Sequence, residues 1–231
     1  MGIAAIIPAR GGSKGIPGKN IKDFCGKPLL AWSILQAKKS PQISSVWVSS
    51  DDEGILNVAR QFGAGAILRP AELAGDKATS ESAWLHAVDT LEASGGPCEA
   101  VVGMQCTSPL RETGDIERGL SLFREGNLDS MFSGALIGDF YIWQRGKSGE
   151  LESFNYDWKS RKRRQEISEQ YVENGSFYIF RPDLLRRTGN RLGGNIGVVP
   201  MEFWKSFELD TLENWKMCEF LMRGFGLDKA A

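Results

Sequence analysis

The feature that most restricts this chain is a rhythm: short β-branched runs alternate with longer amphipathic stretches. "IAAIIP" precedes "PLLAWSILQAKK", "SSVWVSS" precedes "DEGILNVARQFG", "GAILRP" precedes "SESAWLHAVDTLEAS", and "EAVVGMQ" precedes "TGDIERGLSLFREG". Apolar runs of strand length followed by helical periodicity predict βαβ units, hence an α/β fold with a mostly parallel sheet and helices on both faces. In the second unit Val46 and Val48 continue an apolar face. Ser49, Ser50, Asp51 and Asp52 then supply turn and N-cap chemistry for a helix carrying Ile55, Leu56, Val58, Ala59 and Phe62. The rhythm breaks after "LDSMFSGALI": residues from about 139 to 169 mix aromatics, charges and Gly without a helical period, which predicts an inserted hairpin or arm. "NGSFYIF" and "NIGVVPM" resume strand character. "TLENWKMCEFLMRGFG" reads as a closing helix with Leu212, Trp215, Cys218, Phe220, Leu221 and Met222 on its apolar side. The simplest organisation is one α/β domain over 1–231 with an internal projection.

Lys plus Arg number 28 against 29 Asp plus Glu, so no net field draws the whole surface to nucleic acid or an anionic membrane, and any basic site is local. Cys25, Cys98, Cys106 and Cys218 lie far apart with no CxxC pair, which predicts reduced, buried thiols and a cytoplasmic protein. No apolar stretch approaches the roughly 20 residues that span a bilayer, and "MGIAAIIPAR" turns polar too early for a signal peptide. His86, the sole histidine, reads as a packed or rim helix residue; with no GxSxG elbow a Ser-His-Asp hydrolase is unattractive. Trp32, Trp47 and Trp84 read as core.

The first strand runs into "ARGGSKGIPGKN", which places Arg10, Gly11, Gly12, Ser13, Lys14, Lys19 and Asn20 at its carboxyl end, where parallel α/β sheets bind ligands. Glycines let backbone N–H groups approach anionic oxygens and the cations supply charge, so the stretch can form a polyphosphate cradle. The bland alternative is a Gly-rich turn whose lysines face water. A Walker A loop is excluded because Lys14 precedes Gly15 and Lys19 precedes Asn20; a GxGxxG dinucleotide fingerprint is weaker still. Further polar segments fall at predicted strand ends or turns: "SSDD", "LRPAELAGDKATSES", "MQCTSPLR", "RRQEISEQYVENGSFY" and "FELD".

Together these segments resemble, in order from Ile6 to Asp210, the acylneuraminate cytidylyltransferases, which make CMP-activated sialic and related nonulosonic acids. The resemblance implies a Rossmann-like nucleotidyltransferase fold and attack by the anomeric hydroxyl of a 2-keto sugar acid on the α-phosphorus of CTP. It gives Arg10 and Lys14 catalytic roles and puts Gly11, Gly12, Ser13, Lys19, Asn20, Arg69 and Ser80 at the nucleotide. It puts Gln105 and Arg164 at the sugar, and Mg²⁺ on Asp210 and Glu208. It also implies a homodimer in which the 139–169 arm reaches toward the partner's site. Ser80 and Asp210 each have a helix N-cap as the competing role. The run "KSRKRR", Lys159 to Arg164, reads as a solvated charge face, a nucleic-acid patch or recognition of an anionic substrate, the second being disfavoured by the net charge. Cys106 stands where the family usually has proline, Val172 where some bacterial members have a sugar-site arginine, and Glu208 where the usual metal ligand is aspartate. The alternatives are a CMP-Kdo synthetase, whose loop usually carries arginine at the place of Lys14, and a nucleotide-binding regulatory protein without turnover.

Overall fold

The computed structural model describes residues 2–13, 15–138 and 140–230, without the side chains of Arg164 and Ala230. Lys14, given a catalytic role from sequence, therefore lies outside the described residues. The elements in order are β1 (Ile3–Pro8), β2 (Asp23–Phe24), β3 (Lys27–Pro28), α1 (Leu29–Lys38), β4 (Ile43–Ser50), α2 (Glu53–Gln61), β5 (Gly65–Leu68), α3 (Ser80–Gly95), β6 (Val101–Met104) and α4 (Thr113–Glu125). They continue with β7 (Ser130–Leu136), β8 (Trp143–Arg145), β9 (Leu151–Ser153), β10 (Tyr171–Phe180), α5 (Pro182–Thr188), β11 (Ile196–Met201), α6 (Leu212–Gly224) and α7 (Leu227–Ala230).

Seven strands form one sheet in the order β11-β7-β10-β6-β1-β4-β5. The β1, β4, β5 and β6 pairings are parallel, as the βαβ rhythm predicts, and so is β7 with β11. β10 departs from the pattern: it runs antiparallel between β6 and β7. The cause is its connection. The chain leaves β7 at Leu136 and returns at Tyr171 directly opposite, without a crossover, and strands joined at the same end run in opposite directions.

Strand periodicity sorts the core into two layers. Ile3, Ala5 and Ile7 of β1 pack with α1, α2 and α4 through Leu30, Ile34, Ile55, Ala59, Ile116 and Leu120, whereas Ala4 and Ile6 face α3 and α5 through Trp84, Ala87, Val88 and Leu185. Each fully buried Ile or Leu contributes about 1.5–3 kcal/mol relative to exposure. α2 begins as predicted, with the Asp52 side chain accepting from the Ile55 N–H. A third cluster joins Ile16, Phe24, Trp32 and Leu209 to Trp215, Cys218 and Met222 of α6. Here the sequence reading needs correction: Leu212 and Phe220 face solvent, Phe220 being 77% exposed. Phe220 lies two residues from buried Cys218, about 200° around the helix, so one stripe cannot hold both.

The four cysteines are free thiols, Cys25 half-buried and the others buried. No described helix is long and apolar enough to cross a membrane. Between β7 and β10, β8 and β9 form a separate two-stranded hairpin whose surroundings expose Phe140, Trp143, Leu151, Phe154 and Trp158.

Candidate functional site

A cavity of about 310 Å³ opens at the carboxyl end of β1. Its walls include Pro8, Ala9, Arg10, Ser13, Gly15, Lys19 and Asn20, then Arg69, Thr79 and Ser80, then Gln105, Cys106, Thr107 and Asp210. Segments more than 200 residues apart in sequence thus meet at one strand-end crevice. No described residue of the 139–169 arm lines it, and the Arg164 side chain lies outside the described residues.

The glycine loop is tied at both ends. The Asn20 side-chain amide donates to the Arg10 carbonyl at 3.0 Å, and the Gly11 N–H donates to Asp51 Oδ1 at 3.0 Å. Glycine is required at position 11 because a Cβ there would stand 2.9 Å from the Asp52 Cβ. Gly15 is pressed against the Asp210 carbonyl oxygen in the same way, so the loop and the last site segment touch backbone to backbone. Gly12, by contrast, has no described atom within 4 Å of where a Cβ would stand. The Arg10 guanidinium donates to Asp76 Oδ1 at 3.3 Å and to the Gly75 carbonyl at 3.4 Å. The Lys19 ammonium donates to the Leu209 carbonyl at 2.7 Å and approaches Asp210 Oδ1 at 3.4 Å.

Arg69 is the unusual member. Its side chain is 5% exposed, its Nε and Nη2 lack hydrogen-bond partners among the described residues, and the Asp51 carboxylate stands 4.0 Å away. Burial pushes the Arg69 pKa down, Asp51 opposes this, and Arg10 adds to it. A buried guanidinium with unmade bonds costs stability. It is what a pocket wall carries when an acceptor is to arrive.

Ser80 lines the cavity at the start of α3, and the capping role falls to Thr79, whose hydroxyl accepts from the Ser82 N–H. At Asp210 the competing cap is likewise taken by its neighbour: Thr211 Oγ1 accepts from the Asn214 N–H. Glu208 and Asp210 flank Leu209, which is buried and donates its N–H to the Thr107 carbonyl at 2.8 Å. Burial, then the Asp210 charge, raises the Glu208 pKa above its usual value, with Lys19 and Arg111 opposing. Among the described residues no group of three or more His, Cys, Asp or Glu could hold a metal. Asp210 lines the cavity and Glu208, on the other side of Leu209, does not; in chemistry both are hard oxygen donors of the kind a divalent cation takes when it shares its ligands with substrate phosphates. Glu208 also explains the "ENGSFY" stretch. β10 bulges between Glu173 and Tyr178, Gly175 has φ +63°, the left-handed region that favours glycine, and the Glu208 carboxylate end lies where a Cβ would stand.

Gln105 reaches the cavity from a backbone held on both sides, its N–H donating to Ser176 and its carbonyl accepting from Arg111. Arg111 is itself buried, and every guanidinium N–H is used: Nε donates to Ser176 Oγ, Nη1 to Ser33 Oγ and Gln36 Oε1, and Nη2 to the Gln105 and Ser176 carbonyls. Burial pushes its pKa down to about 10. Sequence reasoning missed Asp51, which orients the loop N–H and faces Arg69. The available signal was the doublet "SSDD", in which one aspartate suffices for the cap.

These features define an α/β protein with a pocket at its strand ends that is lined by Arg10, Lys19 and Arg69. The family model for cytidylyltransferases matches residues 4–219, and the chain belongs to that family. N-acylneuraminate cytidylyltransferase of Oncorhynchus mykiss is 34% identical over 98% of this chain and 52% of its own length. The chain therefore spans about half the length of that relative, as it does for N-acylneuraminate cytidylyltransferase A of Danio rerio, of which it covers 51%. Pseudaminic acid cytidylyltransferase of Campylobacter jejuni is 33% identical over 75% of this chain and 76% of its own. In fold, a CMP:2-keto-3-deoxy-manno-octonic acid synthetase solved with CTP superposes with a TM-score of 0.73 at 17% identity, covering 97% of this chain and 100% of that one.

Proposed function

We propose that this chain transfers CMP from CTP to the anomeric hydroxyl of a nonulosonic acid, releasing pyrophosphate. The observation that carries this reading is Arg69, a buried guanidinium with unmade hydrogen bonds in the wall of a pocket that also presents Arg10 and Lys19. The pseudaminic and N-acylneuraminic acid enzymes among its relatives support the acceptor class. Charge accumulates on the phosphoryl oxygens and the leaving pyrophosphate, so fixed cations must face them. Arg10, now engaged with Asp76 and Gly75, would exchange these acceptors for phosphate oxygens, and Lys14 would act beside it. Gly11, whose N–H is held by Asp51, shapes the loop so that the Gly12 N–H and the Ser13 hydroxyl come near as donors; Lys19, Asn20, Arg69 and Ser80 hold the nucleotide. Gln105 orients the sugar. Mg²⁺, held by Asp210 with Glu208, would neutralise charge on the phosphoryl oxygens.

The aromatic and basic hairpin region suits an interface, since its exposed rings and arginines match interface cores and an isolated hairpin is marginal in water. The protein acts as a homodimer in this reading, with Arg164 at the sugar of its own or the partner's site. Pyrophosphate release from CTP and Mg²⁺ over a panel of N-acetylneuraminate, its deaminated counterpart, legionaminate, pseudaminate and Kdo tests the assignment. Release with a nonulosonic acid supports it; release only with Kdo, or CTP binding without release, overturns it. Mixed Arg164→Ala and Arg10→Ala subunits regain part of the activity if the pocket is shared.

A further inference from the structure

Lys205 is a lysine with almost no access to water, at 2% exposure, and it is not part of the pocket. Its ammonium meets three carboxylates: Glu112 Oε2 at 2.7 Å, Asp115 Oδ2 at 2.9 Å and Glu202 Oε2 at 2.8 Å. Asp115 also accepts from the Glu112 N–H at 2.9 Å and from Arg118 at 2.8 Å, and Arg118 reaches on to the Pro200 carbonyl. Lys205 belongs to the one-turn helix Phe203–Ser206, which leads directly into Glu208 and Asp210. The same turn stacks Phe203 on Phe140 and Trp204 on Phe225. Glu112 follows Arg111, whose bonds fix the Gln105 backbone. One ammonium thus pins the approach to the carboxylate pair onto the start of α4, next to the residue that fixes the far wall of the pocket.

Resting on the function proposed above, we infer that Lys205 is a positioning residue for the Glu208 and Asp210 carboxylates, setting the segment 207–210 where a divalent cation and a nucleotide can share it. A peg of this kind is needed because that segment has little regular structure of its own. On the pocket side it is held by the Leu209 N–H to the Thr107 carbonyl and by Lys19 to the Leu209 carbonyl. On the other side the Lys205 cluster sets where it begins. A lysine serves better than an apolar residue because its three N–H donors, unlike a side chain that only fills space, fix direction toward three separate acceptors.

Lys205→Met and the double variant Lys205→Met with Asp115→Asn test this. In the single variant Glu112 and Glu202 can turn to water and Asp115 keeps Arg118, so the fold survives with a lowered melting temperature. The double variant also removes the buried Asp115 charge left without its Lys205 partner, so a loss of metal affinity seen in both variants does not come from that charge. If Lys205 positions the carboxylates, Mn²⁺ affinity read by the paramagnetic resonance of free Mn²⁺ falls about tenfold in both variants, the scale seen for groups that orient metal ligands. Binding of CTP in metal-free buffer, read by calorimetry, stays within about twofold, because such a group acts on the ligands alone. Mn²⁺ affinity equal to wild type in the double variant overturns the inference, leaving Lys205 a purely structural pair. A wild-type chain that binds no Mn²⁺ overturns the inference about Lys205, whereas one that releases no pyrophosphate with any acceptor overturns the functional reading itself. Wild-type binding with unchanged variants overturns only the role of Lys205.

Discussion

Two buried arginines stand a few residues from the same pocket and do opposite things. Arg111 spends all five N–H groups on neutral oxygens of α1, β10 and the Gln105 turn. Arg69 leaves Nε and Nη2 without hydrogen bonds from the described residues at the pocket wall, with only the Asp51 carboxylate 4.0 Å away. The first is a strut, since its charge is solvated by the protein and its loss would orphan the acceptors around it. The second is a receptor under the proposed function, since its burial is not matched by completed bonds. Residue type and burial are the same in both, so the destination of the N–H groups decides the role.

The largest test of this contrast is Arg111→Met. Stranding several buried acceptors costs about 4 kcal/mol, which lowers the melting temperature of a chain this size by roughly 10 °C in thermal denaturation. A drop of only a degree or two would remove Arg111 from the role of strut. Arg69→Met should do the reverse. Replacing an incompletely bonded charge with an apolar side chain leaves the melting temperature equal or higher, while CTP affinity in calorimetry falls by about 2 kcal/mol, roughly 30-fold. A destabilised variant with normal CTP binding would turn Arg69 into a second strut.

Asp210→Asn is the next smaller effect. Thr211 holds the cap, so stability should stay within about 0.5 kcal/mol, while the Mg²⁺ concentration for half-maximal turnover rises about tenfold. Unchanged metal dependence would place the metal elsewhere. The smallest effect concerns Glu208. Burial and the Asp210 charge raise its folded pKa above the unfolded value, so the folded chain holds that proton to higher pH. Stability from this group is greatest below the usual glutamate range, falls as pH rises between the unfolded and the raised folded values, and stays lower above them. Glu208→Gln should flatten that part of the profile in urea titrations across mildly acidic pH. An identical slope in both proteins would count against the buried, repelled carboxylate.

Much of the fold was legible in the chain itself. Strand and helix periods are local steric facts, and they located the parallel units, the Asp52 cap and the hairpin insertion. The place of the glycine loop was legible because it follows the first strand run, and the cavity does open there. What local pattern could not carry was direction and contact at a distance. β10 runs antiparallel only because its connection returns to the same end of β7. Phe220 faces solvent because packing chose the stripe of Trp215, Cys218 and Met222. The capping roles of Ser80 and Asp210 passed to Thr79 and Thr211, one residue away, a distinction set by backbone dihedrals. Above all, "RP" and "PLR" give no sign of which arginine is sated. That depends on Ser33, Gln36 and Ser176 arriving around Arg111 from distant segments while no described residue does the same at Arg69. Residue identity set what each side chain can do; tertiary structure decided which of its bonds are already made.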